Sequence, residues 1–114
     1  MDLAALAERM RAWLAGQYDV ILFTRGETIV GHAAYQIRYD EYLAQEGYVY
    51  LRQFFVRREA RRQGIGRAAF RLLQNDFLPA GLPIALDVLE GNPGGRGFRD
   101  ALGFRPYCIA MRLP

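Results

Sequence analysis

The stretch "FFVRREARRQGIGRAAFRLL", residues 54–73, decides the fold of this chain. It begins with the apolar pattern of a β-strand, passes through two glycines set among arginines, and continues with apolar residues at helical spacing. The N-terminus of a helix presents unpaired N–H groups and the positive end of the helix dipole, which together bind anions. Gly64 and Gly66 would let a phosphate approach the backbone closely. The stretch therefore predicts a strand, a phosphate-binding turn and a helix.

Arginine is concentrated in this segment, and its planar guanidinium is well shaped to bind phosphate or carboxylate oxygens. The cluster comprises Arg57, Arg58, Arg61, Arg62, Arg67 and Arg71. It indicates an anionic partner, which on charge alone is a nucleotide, a nucleic acid or a neighbouring acidic surface.

The remaining sequence predicts a mixed α/β fold with the order α-β-β-β-α-β-α-β. An amphipathic helix is capped by Asp2 and ended by Gly16, and a hairpin is formed by 18–24 and 28–39. Further strands cover 48–56 and 83–90, a short helix covers 95–102, and one or two closing strands cover 104–113. The passage from 48 to 90 is a strand-helix-strand crossover, so its two strands should be parallel neighbours.

Length and composition predict one soluble domain. The chain has 114 residues, of which 52% are hydrophobic and 24% charged, and its net charge is +3. No apolar run is long enough to cross a membrane, and the first residues lack the pattern of a secretory signal, so we expect a cytoplasmic protein. Cys108 and His32 are the only cysteine and histidine, which excludes an internal disulfide and argues against a bound metal.

Two familiar phosphate-binding motifs do not fit the glycine segment. A P-loop requires a lysine, and the sequence contains none. A dinucleotide fingerprint requires a third glycine at position 69, which is alanine.

A third pattern does fit. Residues 61–66, RRQGIG, match R/Q-x-x-G-x-G/A directly after a strand that ends in Val56. Further on, Asn92, Phe98, Gly103 and Phe104 match Asn-x-x-Ala-x-x-Phe-Tyr-x-x-x-Gly-Phe. With these two motifs in this order, roughly residues 18 to 112 closely resemble the GNAT superfamily of acyl-CoA-dependent N-acetyltransferases.

The resemblance implies a GNAT-like, mostly antiparallel sheet with helices on both faces. Its central parallel pair, 48–56 and 83–90, would splay around CoA, and the first family strand is absent. The implied reaction is direct attack on acetyl-CoA by a primary amine that belongs to a small molecule or a peptide. The resemblance implies no metal. An exposed sheet edge follows from the missing strand, and a homodimer is one way to cover it.

The resemblance also implies how the donor is held. The pyrophosphate would lie on the turn, the pantetheine arm would lie between the parallel strands, and a backbone N–H near Phe55 would stabilise the oxyanion. The implied acetyl-CoA-binding residues are Val56, Arg61, Arg62, Gln63, Gly64, Ile65, Gly66, Arg67, Val88, Asn92 and Phe98.

The residues that would move protons depart from the family pattern. Arg99 stands where the family often has a tyrosine that acts as the general acid. Arg99 is therefore a candidate to stabilise the thiolate but not to donate a proton. Tyr107 is the alternative acid, although a tyrosine near the end of a small sheet is more often part of the core.

The base is less well defined, because Arg52 and Gln53 occupy the positions where the family has an acid. Glu90 is the preferred candidate, and Glu46 and Asp87 are the others; each also has a structural or solvated interpretation. His32 and Cys108 are expected to be packed residues.

Two further functions stay open. A GNAT-like module that binds acyl-CoA without efficient catalysis is suggested by the missing proton-handling residues. A nucleic-acid-binding module is suggested by the arginine cluster, although a net charge of +3 is modest for that role.

Overall fold

The computed structural model describes residues 3–39, 47–60, 64–87, 97, 99–107 and 110–113, with the backbone alone for Leu3 and Ala60. Its elements follow the predicted order as far as the fourth strand. They are α1 (Leu3–Ala15), β1 (Asp19–Arg25), β2 (Thr28–Arg38), β3 (Tyr48–Val56), a 3-10 turn (Arg58–Ala60), α2 (Ile65–Asp76) and β4 (Ile84–Ala85).

The four strands form one sheet in the order β1-β2-β3-β4. The first three are antiparallel neighbours, whereas β3 and β4 are parallel, which confirms the predicted crossover through α2. The parallel pair lies at one end of the described sheet. Its register joins Val49 to Ile84 and Tyr50 to Ala85.

Each antiparallel pairing contains an irregularity. The register of β1 against β2 shifts after Phe23 and passes over Val30, and the register of β2 against β3 shifts after Ala34 and passes over Arg52. An extra residue of this kind bends its strand and increases the local twist. The bulge at Arg52 therefore bends β3 partway along its length.

Helices pack on both faces of the sheet, as predicted. On one face Phe70 and Leu73 of α2 are buried in a cluster with Phe23, Ala33 and other strand residues. On the opposite face Trp13 of α1 is buried, with its ring centroid 5.7 Å from that of His32. The α2 face holds the larger described core, because aromatic rings of β1, β3 and α2 interlock there.

The chain beyond β4 departs from the prediction. Strand 83–90 is confirmed only at Ile84–Ala85, since Leu86 and Asp87 are not in a strand and 88–90 lie outside the described residues. The closing strands predicted over 104–113 are wrong for 104–107 and 110–113. Residues with high strand propensity form a strand only where a neighbouring strand supplies hydrogen bonds. The described part of β4 is two residues long and offers little edge for a further strand.

The short helix predicted over 95–102 is confirmed in part. Position 97 and residues Arg99–Ala101 are helical, and Gly103 ends the helix with a φ of 98°. The N–H groups of Gly103 and Phe104 donate to the carbonyls of Asp100 and Arg99, which is the Schellman arrangement. Phe104 then packs its ring against Phe70 of α2.

Candidate active site

The start of α2 follows closely on the end of β3. Val56 is buried, and α2 begins after Gly64, whose φ of 73° lies in the left-handed region. The N–H of Ala68 makes a helical bond to the Gly64 carbonyl, so the N–H groups of 65–67 precede it in the first turn. Gly64, the N-cap residue, has no side chain and so makes no cap hydrogen bond of its own. The first turn therefore has the backbone geometry of an anion site.

Exposed arginines occur both before and after this terminus along the described chain. Arg57, Arg58, Arg67 and Arg71 are all exposed. The first turn of α2 contains no acidic residue. Arg57 is engaged by Glu59, with Nε 3.5 Å from Oε2, in an exposed and therefore weak ion pair.

The described strands β3 and β4 share pairing only over their first part. The pairing ends at Tyr50 and Ala85, whereas β3 continues to Val56. Leu86 and Asp87 follow β4 without being part of a strand. The described pairing of β3 with β4 thus covers Val49 and Tyr50.

The directions of the β3 N–H groups follow from one hydrogen bond. The N–H of Arg57 donates to the Val30 carbonyl on β2. Because N–H groups alternate in direction along a strand, Phe55 directs its N–H toward β2. Phe54 and Val56 direct theirs toward the β4 edge.

A polar network lies on the α1 face, where β3 and β4 begin to separate. The Tyr50 hydroxyl donates to Oδ2 of Asp87 at 2.6 Å. The Arg38 guanidinium lies 3.8 Å from the centroid of the Tyr50 ring, and it also donates to the side chains of Gln36 and Tyr18. Burial and the bond to Asp87 raise the pKa of Tyr50, an effect that Arg52 partly opposes. Tyr50 therefore stays protonated and donates to the carboxylate.

His32 is buried between two rings. Its imidazole centroid lies 5.7 Å from that of Trp13 and 5.3 Å from that of Phe55, and its Nε2 has no hydrogen-bond partner among the described residues. Burial, followed by the charge of Arg9, lowers the pKa of His32. His32 is therefore neutral and packed, as expected.

The predicted site residues fall into three groups. Phe55, Val56, Gly64, Ile65, Gly66 and Arg67 lie along the end of β3 and the start of α2. Arg99 is half-buried in the short helix, whereas Tyr107 is 72% exposed, outside any strand and not in the core. The positions outside the described residues are Glu46, Arg61, Arg62, Gln63, Val88, Glu90, Asn92, Phe98 and Cys108.

The Tyr50–Asp87 pair was not predicted. The two residues are 37 positions apart, and their contact depends on the parallel register of β3 and β4. Asp87 is a candidate base within the predicted strand 83–90, but nothing in the sequence pairs it with Tyr50.

Comparison with protein families gives one decisive match. The model of the acetyltransferase (GNAT) family matches residues 3–104. The chain belongs to the GNAT family. No curated protein matches the sequence.

Solved structures share this GNAT fold. A mutant of the BH1408 protein from Bacillus halodurans is 26% identical with a TM-score of 0.71, over 94% of this chain and 72% of its own. A putative acetyl transferase from Pyrococcus furiosus is 20% identical with a TM-score of 0.72, over 100% of this chain and 80% of its own. Aminoglycoside N-acetyltransferase AAC(6')-Iy, in complex with CoA, is 19% identical with a TM-score of 0.70, over 85% of this chain and 66% of its own.

Two further findings concern the described residues alone. None of their helices has both the length and the apolar character needed to cross a membrane. They also contain no group of three or more His, Cys, Asp or Glu side chains arranged to hold a metal ion.

Proposed function

We propose that this protein transfers the acetyl group of acetyl-CoA to a primary amine by direct attack of the amine on the thioester. The observation that carries the proposal is the N-terminus of α2, which starts after Gly64 in the left-handed region and follows the end of β3 along the chain. An anion at this terminus and an extended arm along β3 would together fit a nucleotide-linked pantetheine. Membership of the GNAT family supports the same reaction class.

The pyrophosphate would be bound by the N–H groups of Gly64 to Arg67, together with Gln63 and the guanidinium groups of Arg61 and Arg62. The pantetheine arm would run back along β3 from Val56, between this strand and Val88. Asn92 would hydrogen-bond the arm and Phe98 would pack near it.

The oxyanion donor would be a backbone N–H in the second half of β3. The sequence places it near Phe55, and alternation from the Arg57 N–H turns the N–H groups of both neighbours, Phe54 and Val56, toward the β4 edge. A donor aimed at the developing oxyanion stabilises the tetrahedral intermediate more than it stabilises the substrate.

Proton transfer would use residues outside the donor site. Glu90 is the base expected from the sequence, and Arg99 would stabilise the thiolate by its charge. Tyr107 is the candidate acid; its exposure shows that it is not held in the described core. The aminoglycosides for which AAC(6')-Iy is named support a small-molecule amine as the acceptor here; a peptide amine is the second candidate.

Calorimetry with CoA and with pantetheine tests the donor site. The variant Arg67→Glu places a negative charge in the first turn of α2, and Arg112→Glu makes the same change at an exposed position near the end of the chain. Reversing the charge in this turn repels the pyrophosphate, which predicts about tenfold weaker CoA binding for Arg67→Glu. Pantetheine lacks the pyrophosphate, so its affinity should not change, and neither should CoA binding by Arg112→Glu.

Release of the CoA thiol across a panel of amines tests catalysis. Turnover with at least one amine is expected. CoA binding without turnover at any amine would favour the acyl-CoA-binding module, and steeply salt-dependent binding to DNA or RNA that CoA does not compete with would favour the nucleic-acid-binding module.

A further inference from the structure

Asp87 lies where an acceptor amine would meet the end of the pantetheine arm. The arm would run from the start of α2 along β3 toward Tyr50, the last residue of β3 that pairs with β4. Asp87 follows β4 by two residues and contacts Tyr50 across the two strands. Its side chain is exposed, so an acceptor can reach it from solvent.

The carboxylate of Asp87 is held in one orientation. The Tyr50 hydroxyl bonds to Oδ2, and Tyr50 is itself only 8% exposed and packed under the Arg38 guanidinium. Arg38 is in turn tied to Tyr18 at 2.8 Å. The charged and titratable groups that face this pair in the described chain are Arg38 of β2 and Arg52 of β3. Because Tyr50 holds the exposed carboxylate of Asp87 in place, the carboxylate can act on a substrate without first losing conformational freedom.

We infer that Asp87 is the residue that takes the proton from the acceptor ammonium, with Tyr50 as the positioning residue that holds its carboxylate; this role rests on the proposed function. The carboxylate accepts one proton, and the neutral amine forms a C–N bond to the thioester carbon. The C–S bond then breaks, and the second amine proton leaves with the sulfur as the CoA thiol. Asp87 returns its proton to solvent, so the products are an amide, CoA and one proton.

The test measures kcat/KM for the acceptor against pH, together with CoA affinity and melting temperature. Asp87→Asn should lower kcat/KM about 100-fold near neutral pH, the lower range for loss of a general base. The loss should shrink toward about pH 10, where amines of lysine type deprotonate in water. CoA affinity should not change, and Asp87→Glu should recover part of the activity because it restores a carboxylate.

Asp76→Asn is the matched control, since Asp76 is an exposed aspartate at the end of α2. It should match the wild type at every pH. Tyr50→Phe should lower kcat/KM less than Asp87→Asn does, and in the Asp87→Asn background it should have no further effect. A structural role for Tyr50 would instead lower activity by the same factor in both backgrounds.

The competing base is Glu90. The role of Asp87 would be overturned if Asp87→Asn followed the wild-type pH profile of kcat/KM and Glu90→Gln abolished the pH dependence of kcat/KM. The proposed function would remain intact. A wild-type chain that binds CoA and acetylates no amine would overturn the proposed function, and this role with it.

Discussion

Gly64 is the residue on which the phosphate site depends most directly. Its φ of 73° is in the left-handed region, and this conformation turns the chain into the first N–H groups of α2. A Cβ at this position would meet no atom of the described residues within 4 Å, so the backbone angle, and not crowding by those residues, favours glycine here.

Gly64→Ala is therefore expected to lower the free energy of unfolding by about 1–2 kcal/mol, the cost of a left-handed residue that has a Cβ. Urea denaturation measures this. Gly97→Ala is the matched control, because Gly97 is helical, lacks a positive φ and is equally uncrowded. Alanine there should leave stability unchanged or slightly raise it. Equal effects of the two substitutions would contradict this account of Gly64.

His32 makes the docking of α1 dependent on pH. Its pKa is lowered by burial and by Arg9, so the folded protein binds fewer protons at His32 than the unfolded chain does. Stability from this group is complete above the unfolded value of 6.5 and is lost as the pH falls from there toward the lowered folded value.

We accordingly expect the melting temperature to decrease as the pH is lowered from about 7.5 to about 5. His32→Phe keeps a ring between Trp13 and Phe55 but cannot be protonated, so its decrease should be smaller. Parallel curves for the two proteins would show that His32 does not contribute to the pH dependence.

At the scale of elements, β2 and β3 leave no room for a side chain at Gly31. A Cβ on Gly31 would overlap the Phe55 carbonyl oxygen, and the Cα of Val56 would be only 3.2 Å away. Because the crowding atoms belong to the backbone, neither strand can relieve the overlap by rotating a side chain.

Gly31→Ala should therefore push the two strands apart just where the donor would lie along β3. An overpacked site of this kind costs about 1–3 kcal/mol, and thermal denaturation should show a corresponding decrease. The same variant should bind CoA more weakly than Gly97→Ala does. Wild-type stability in Gly31→Ala would mean that the two strands are not in this close contact.

The sequence was sufficient for the elements whose signals are local. The bounds of β3 were predicted to the residue, and α1 and α2 follow from apolar spacing and from the residues that start and end them. The sequence overpredicts strand at 83, 86–87, 104–107 and 110–113, because strand propensity does not say whether a pairing edge exists. The Tyr50–Asp87 pair and the burial of His32 depend on register and on helix docking, which are properties of the assembled sheet.

At the scale of the whole molecule, β1 forms the outer edge of the described sheet, opposite β4. An unpaired strand edge offers hydrogen-bonding groups to another chain. Leu22 on this strand is 46% exposed, which adds an apolar side chain to the edge. We therefore expect the protein to form a homodimer through β1.

Light scattering over a range of concentrations tests this expectation. Leu22→Lys should shift the dimer toward the monomer, because a lysine on an edge strand disfavours edge-to-edge pairing. Leu72→Lys is the control, since Leu72 is similarly exposed, at 48%, but lies on α2. A wild-type protein that is monomeric at every concentration would exclude the dimer.

The bulge at Arg52 places a constraint on chain length that substitution experiments do not detect. Arg52 is exposed, and many side chains can occupy an extra residue in a strand. Deleting the residue would instead straighten β3 and bring its later part toward β4. The course of β3 should thus depend little on which side chain stands at position 52 and strongly on the number of residues between Leu51 and Phe54. Deletion scanning across β3, more than any exchange of side chains, should reveal what keeps the two strands apart.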